Sequence, residues 1–325
     1  MVPSFSIIIV NYNGEKLISD CIRSLYLQTY KNFEIIVVDN ASKDHSVDII
    51  KKNFPEIKII QTGFNSGYAE GNNIGYRYAN GDYLIFLNFD AFPASNWLES
   101  IAYVISQNPS MHILGCKIFR YGTRFLDSAG AYIEYPLGCA PGRGSGEPDS
   151  PLYNKIEKMA YVSGASLVIK KETFKQIGGF DPVYFCYHEE TDLCWRARLL
   201  GYDVYFVPSA IVHHMVSSTL GECNPYKQYL ITRNRIITNI KNLEITNVLY
   251  SILYEIFFAT FTVFSSLILN NTFQLIGYLR AVFFVMRNLK CILNKRTAIQ
   301  SRRQLPDNVV LLLHTKVKLG HYLKK

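Results

Sequence analysis

Three carboxylates share one short stretch of the chain. Glu189, Glu190 and Asp192 stand behind a glycine-aromatic loop (GGFDPVYFCYH, 178–188) and head an apolar, arginine-bearing segment (LCWRARLLGY, 193–202). Carboxylates at an exposed helix start can accept a proton, and the backbone dipole there favours negative charge. That chemistry suits an enzyme that activates a hydroxyl group. Acidic residues also favour the first turn of any helix, so the run has a purely structural reading as well.

Other polar residues fall where strands should end. Asp90, two residues after Asn88, resembles half of a site for a hard divalent cation such as Mg²⁺ or Mn²⁺, which takes oxygen ligands and shares them with substrate phosphates. Asn88 can offer a carbonyl oxygen but no charge. His213 or His214 could complete the shell, imidazole being acceptable to Mn²⁺. Asp39 could hydrogen-bond a nucleoside or simply cap the next helix. Gly67, Gly71, Asn72, Asn73 and Gly75 read as a flexible loop that could lie against a nucleotide, though these residue types also mark ordinary turns. No GxGxxG follows the first strand, which disfavours a nicotinamide dinucleotide.

The elements that must hold these residues alternate. Phe5–Val10, Phe33–Val38, Lys58–Gln61 and Tyr83–Leu87 read as short buried strands, separated by helices over 15–28, 42–54 and a segment ending near Ala79. Continuous apolar strands alternating with helices predict an α/β fold with a mostly parallel sheet covered on both faces. Ligands bind such sheets beyond the carboxyl ends of the strands, where Asn11, Asp39 and Asp90 all fall. Residues 114–151 are rich in Gly, Pro, Arg and Asp, and their CAPGRGSGEPD portion (139–149) reads as a long excursion over the site; 161–170 and 204–208 return to strand, and 211–218 carries the paired histidines.

Composition bounds the rest. The chain has 325 residues, 49% hydrophobic, with 23 Tyr and 20 Phe, enough for a substantial core. The net charge of +8 is concentrated at the end: from Arg287 onward ten Lys/Arg oppose Asp307 alone. A basic tail on a neutral body implies an anionic partner surface. The adjacent apolar runs, 248–269 with Glu255 and 273–286 with Arg280, suit a membrane better than a nucleic acid, for which there is no recognisable module. Seven cysteines without a CxxC pair point to a reducing compartment. The N-terminus has no signal-peptide pattern, so the chain is expected in the cytoplasm.

Eight ordered segments carry a resemblance: SIIIVNYNG (6–14), IIVVDNASKD (35–44), NSGYAEGNNIG (65–75), GDYLIFLNFD (81–90), VSGASLVIKKETFKQIGGFD (162–181), YHEETDLCWRARLLGY (187–202), VPSAIVHH (207–214) and LITRN (230–234). Together they resemble a family 2 glycosyltransferase of the GT-A (Rossmann-like) fold, of the rhamnosyltransferase-like type. The resemblance implies a catalytic domain over 1–242 and a hydrophobic, basic helical region over 243–325. It implies an inverting transfer of a sugar, rhamnose or another hexose, from a nucleoside-diphosphate donor to a glycan or lipid-linked acceptor in cell-surface polysaccharide or glycan synthesis. By the same resemblance, Asn11, Asn13, Asp39, Asn65, Gly67, Asn73, Asn88 and Asp192 surround the donor. Asp90 and His213 bind a divalent cation, and Glu190 or Glu189 is the base, with Glu190 favoured. Glu190 stands where the family usually has Asp, and Phe89 where it commonly has Pro.

The C-terminal apolar runs then read as an interfacial or re-entrant helical pair on anionic lipid at the cytoplasmic face of the cell membrane. The competing expectations are a buried helical subdomain and a catalytically degenerate sugar-nucleotide-binding scaffold. A nucleotidyltransferase would need an Arg- and Lys-bearing glycine loop after the first strand, and NYNGEK is not one.

Overall fold

The computed structural model describes residues 2–215, 224–268 and 272–316. Strands and helices run in the order β1 (Phe5–Asn11), α1 (Ile18–Tyr26), β2 (Phe33–Asp39), α2 (Ser46–Asn53), β3 (Lys58–Gln61), α3 (Gly67–Tyr76), β4 (Tyr83–Asn88), β5 (Ala91–Pro93), α4 (Trp97–Gln107), β6 (Ile113–Arg120), β7 (Leu126–Ser128) and β8 (Ile133–Tyr135). They continue with β9 (Glu157–Met159), β10 (Ser166–Lys170), α5 (Lys171–Ile177), α6 (Glu189–Leu199), β11 (Val204–His214), α7 (Pro225–Asn242), α8 (Ile245–Ile268), α9 (Thr272–Arg287), α10 (Leu289–Gln300), α11 (Asp307–Val310) and β12 (His314–Lys316).

The chain divides into two compact units, 1–131 with 142–197 and 202–216, and 132–141 with 198–201 and 217–325. The division falls before α7, whereas the sequence reading places a boundary after residue 242. In the first unit the sheet order is β3-β2-β1-β4-β10-β6-β11-β5, with β7 on β6 and β9 on β11. β1 pairs in parallel with β2 and β4 because every one of its residues is buried, as a central strand covered on both faces requires. β10 departs from the parallel expectation: it runs antiparallel to both β4 and β6. β6 lies ahead of the 139–149 portion expected as a long excursion, and its first six residues are buried.

α3 shows how tightly a helix is laid on this sheet. The segment expected as a flexible loop is helical, and Gly71 and Gly75 lie against the strands. A Cβ on Gly71 would come within 2.9 Å of Val10, and one on Gly75 within 2.4 Å of Ile8. Glycine here serves close packing.

The second unit is helical around α7. That helix is polar yet mostly buried from Leu230 onward, including Arg233, Asn234, Arg235, Asn239 and Asn242. Buried polar groups must be satisfied. Arg235 forms a two-pronged ion pair with Glu255, 2.6 Å on each side, and donates to the Leu137 carbonyl. Tyr278 donates its hydroxyl to the same carboxylate. The last carbonyls of α7 accept from Arg296, Gln300 and Arg303. Among the described residues no helix is long and apolar enough to cross a membrane. The end of the basic tail, 317–325, and residues 216–218 lie outside the described residues.

Candidate active site

The acidic pair emerges from a strained turn. Phe185, Tyr187 and His188 all take positive φ, +64°, +68° and +68°, immediately before α6. Non-glycine residues in that region cost on the order of 1–3 kcal/mol each and persist only where the surroundings enforce them. The surroundings here are α3. The Phe185 carbonyl accepts from the Ala69 amide, and a Cβ on Gly67 would sit 2.5 Å from that carbonyl oxygen. Gly67 itself has φ +78°, so only glycine lets loop and helix close on each other.

The turn sets Glu189 and Glu190 at the first positions of α6. One carboxylate oxygen of each, Oε2, is buried and without a hydrogen-bond partner. Burial raises the Glu189 carboxyl well above the usual carboxylate range, and the charge of Glu190 adds to the effect. Burial raises Glu190 to about 7, against the pull of hydrogen bonds from backbone amides. Two neighbouring carboxylates with separated affinities suit a proton acceptor beside a neutral group.

A second cluster gathers at the ends of β4 and β11. His214 Nε2 lies 3.3 Å from Asp90 Oδ1 and 3.3 Å from Asn88 Nδ2, and His214 Nδ1 lies 3.0 Å from Asp127 Oδ2. Burial opposes the charged imidazole, but the hydrogen bonds and charges of Asp127 and Asp90 outweigh it and push His214 up to about 9. His213 points elsewhere. Its ring stacks on Phe119 at 5.6 Å, and burial pushes its pKa down. The imidazole beside Asp90 is therefore that of His214, in place of the His213 expected from the sequence pattern.

Two phenols connect the clusters. Tyr68 donates to the Gly164 carbonyl at 2.6 Å, and burial with the charges of Glu189, Glu190 and Asp90 raises its pKa. Burial raises Tyr161 likewise, with Glu190 and Asp127 contributing. Both rings thus lie within electrostatic reach of the acid pair and of the strand-end cluster. Sequence reasoning missed Asp127, Tyr68 and Tyr161: Tyr68 stands inside the NSGYAEGNNIG segment but was passed over for its glycines and asparagines, and the other two lie outside the eight segments.

The remaining expected donor residues hold the loops. Asn11 is fully buried and donates to Asp39 (3.0 Å), Ser42 and Ser46. Asp39 also accepts from the Ser42 amide. Asn13 accepts from the Lys43 amide, and Asn65 from that of Gly67. Asn73 is occupied on both sides, donating to Glu70 and the Phe180 carbonyl and accepting from the Phe180 amide. Asp192 is wholly buried and ion-paired with Arg196 at 2.7 Å. Arg196 in turn donates to the Ile177 and Gly179 carbonyls. That places Asp192 on the inner side of α6, where with Arg196 it braces the glycine turn.

Comparison with known proteins decides the family. Residues 6–173 match the model of glycosyl transferase family 2, just over half of the chain. The chain belongs to that family. A low-salt glycan biosynthesis hexosyltransferase, Agl10, of Haloferax volcanii is 29% identical over 74% of this chain and 76% of its own length. An N-acetylglucosaminyl-diphospho-decaprenol L-rhamnosyltransferase of Mycobacterium tuberculosis is 25% identical over 67% and 78%. An uncharacterized glycosyltransferase of Haemophilus influenzae is 32% identical, and the match spans only 55% of that relative's length. In fold, this family 2 glycosyltransferase is similar to S. aureus TarS, solved in complex with UDP, with a TM-score of 0.53 and 21% identity over 92% of this chain and 90% of that one. The GT-A expectation for the mostly parallel sheet is met, with the antiparallel β10 inside it.

Proposed function

We propose that this family 2 glycosyltransferase moves a hexose from a nucleoside-diphosphate donor to a hydroxyl group of a glycan or lipid-linked acceptor by a single inverting displacement. The observation that carries the reading is the acid pair: two carboxylates at the start of α6, directly behind a strained turn, each with one buried Oε2 that has no hydrogen-bond partner. Glu190 accepts the proton of the acceptor hydroxyl. The freed oxygen attacks the anomeric carbon, the bond from that carbon to the diphosphate oxygen breaks, and the nucleoside diphosphate leaves with the electron pair. Glu189, held neutral by burial, keeps a second negative charge away from the base.

The nucleoside is assigned to Asp39 at the end of β2, as strand-end geometry favours. Asn11, Asn13, Asn65, Gly67 and Asn73 hold the loops that shape its pocket. A divalent cation, Mg²⁺ or Mn²⁺, fits the cluster as a site shared with the donor. Asp90 would hold it with Asn88 beside it, and His214 could join only by giving up the proton that Asp90 and Asp127 stabilise; the ion would supply positive charge against the leaving diphosphate. Among the described residues no group of three or more His, Cys, Asp or Glu could hold a metal, and a donor diphosphate would supply further oxygen ligands.

The relatives support both ends of the reaction: one is named a hexosyltransferase of glycan biosynthesis, and another transfers L-rhamnose to a lipid-linked sugar. The test is a panel of nucleotide hexoses with a lipid-linked acceptor, run on the full chain and on Glu190→Gln. Transfer from one donor that is lost in Glu190→Gln while donor binding persists is the expected result. Equal turnover in that variant, with loss in Glu189→Gln, would move the base to Glu189. No donor binding by the folded chain would leave a degenerate domain.

A further inference from the structure

α8 is amphipathic in the reverse sense for a helix facing water. Its inward side carries the polar groups: Ser251, buried and accepting from Asn239, and Glu255, locked to Arg235. Its outward side carries Leu249, Ile252 and Ile256, which repeat at helical spacing and are 41–59% exposed. A surface helix normally turns its apolar stripe to the core. α9 repeats the arrangement, burying Tyr278, Ala281 and Val285 while exposing Leu279, Phe283 and Met286.

The charges around these stripes are of one sign. Between residues 245 and 316 the acidic residues are Glu255 and Asp307 alone. Each is withdrawn into an ion pair, with Arg235 and Arg303, and their side chains are 13% and 1% exposed. Arg280, Arg287 and Lys290 are exposed beside the α9 stripe and make no ion pair among the described residues. Exposed apolar side chains flanked by unpaired cations, with every acid hidden, match the boundary of an anionic bilayer. A water-facing surface would expose mixed charges, and a contact between copies would gain nothing from like charges brought together.

We propose that the outward faces of α8 and α9 dock on an anionic lipid surface, Leu279, Phe283 and Met286 entering the headgroup–acyl boundary while Arg280, Arg287 and Lys290 take the lipid phosphates. The helices lie along the membrane without crossing it. This docking is independent of the sugar-transfer reading, because it is read without donor or acceptor.

The experiment is co-sedimentation of the full-length chain with vesicles of phosphatidylcholine alone and with about one-third phosphatidylglycerol. Each cation near such a surface contributes about fivefold in binding, so Arg280→Gln, Arg287→Gln and Lys290→Gln together should lower partitioning onto the anionic vesicles on the order of 100-fold. Leu279→Ser with Phe283→Ser should also abolish sedimentation while the melting temperature stays at the parental value, since both side chains face outward. Binding unchanged in both variants, or equal binding to neutral vesicles, would overturn the proposal. So would a dimer without vesicle binding that the serine variant splits, which would assign the face to a second copy of the chain.

Discussion

Glu189 and Glu190 stand side by side, and burial raises both carboxyls, Glu189 with the charge of Glu190 added; under the proposed mechanism they take different tasks. Glu190, raised to about 7, is protonated and idle as a base below that pH and available above it. The rate of transfer should therefore climb through about pH 7 and then level, and Glu190→Gln should cost on the order of 10²–10⁴-fold in kcat and remove that limb of the profile. A kcat–pH series on both proteins checks this. Glu189 predicts something about stability. Its carboxyl is raised in the folded state, so its contribution is fully present at low pH and is lost as pH rises and the buried group is forced to ionise. Gln cannot ionise. Glu189→Gln should therefore leave the melting temperature unchanged near pH 4.5 and raise it by about 2–4 °C near pH 9, the shift expected per kcal/mol in a domain of this size. At this scale the acidic run was legible because its type and spacing are local. The choice between His213 and His214 was not. The register of β11 on β6 shifts between Val207 and Ile211, where four steps of β11 oppose a single step of β6, and an odd number of extra residues exchanges the faces of every side chain beyond it.

At the scale of elements, the turn that leads into α6 is shaped by two clamps. On one side α3 closes on the Phe185 carbonyl through Gly67. On the other, Asp192 and Arg196 hold the Ile177 and Gly179 carbonyls. Gly67→Ala adds a Cβ 2.5 Å from a backbone oxygen at a residue whose φ is +78°. The backbone oxygen cannot swing away, and the Phe185 ring crowds the same spot with its Cγ at 2.8 Å, so the turn must move. The expected outcome is a stability loss of about 1–3 kcal/mol with a fall in transfer larger than that loss explains, read by denaturant unfolding beside kcat/KM. A stability loss with unchanged kcat/KM would show that the turn does not position the pair. The strand pattern from β1 to β4 was legible because buried parallel strands are continuous apolar runs. The reversal at β10 was not: Ser166–Lys170 is as apolar as its neighbours, and direction in a sheet is set by the connection, which here is the long 114–165 segment. The helical state of 67–76 was hidden for another reason. Its glycines mark turns by type, and only contact with Val10 and Ile8 shows them to be packing positions.

At the scale of the whole molecule, the second unit is built around charges that its sequence places in an apolar environment. Glu255 reads as a flaw in an otherwise apolar run, but the structure supplies its reason: Arg235 on α7 meets it with two 2.6 Å hydrogen bonds, and Tyr278 on α9 adds a third. Burial opposes the Arg235 charge, and the Glu255 carboxylate more than restores it. Removing one partner leaves the other buried and uncompensated, which costs about 3–5 kcal/mol, whereas replacing both with apolar groups of similar volume is often neutral. Glu255→Leu should therefore destabilise the chain strongly. Arg235→Met added to it should recover most of the loss, because α7, α8 and α9 can pack as well around apolar side chains there. Guanidinium unfolding of the two single variants and the double variant gives the coupling directly. Additive losses would mean that Arg235 is needed for something besides Glu255, and its hydrogen bond to the Leu137 carbonyl, 98 residues away in sequence, is the contact to examine. A full rescue would show that the pair is kept for where it hides a negative charge, on a set of helices whose outward faces carry only positive ones.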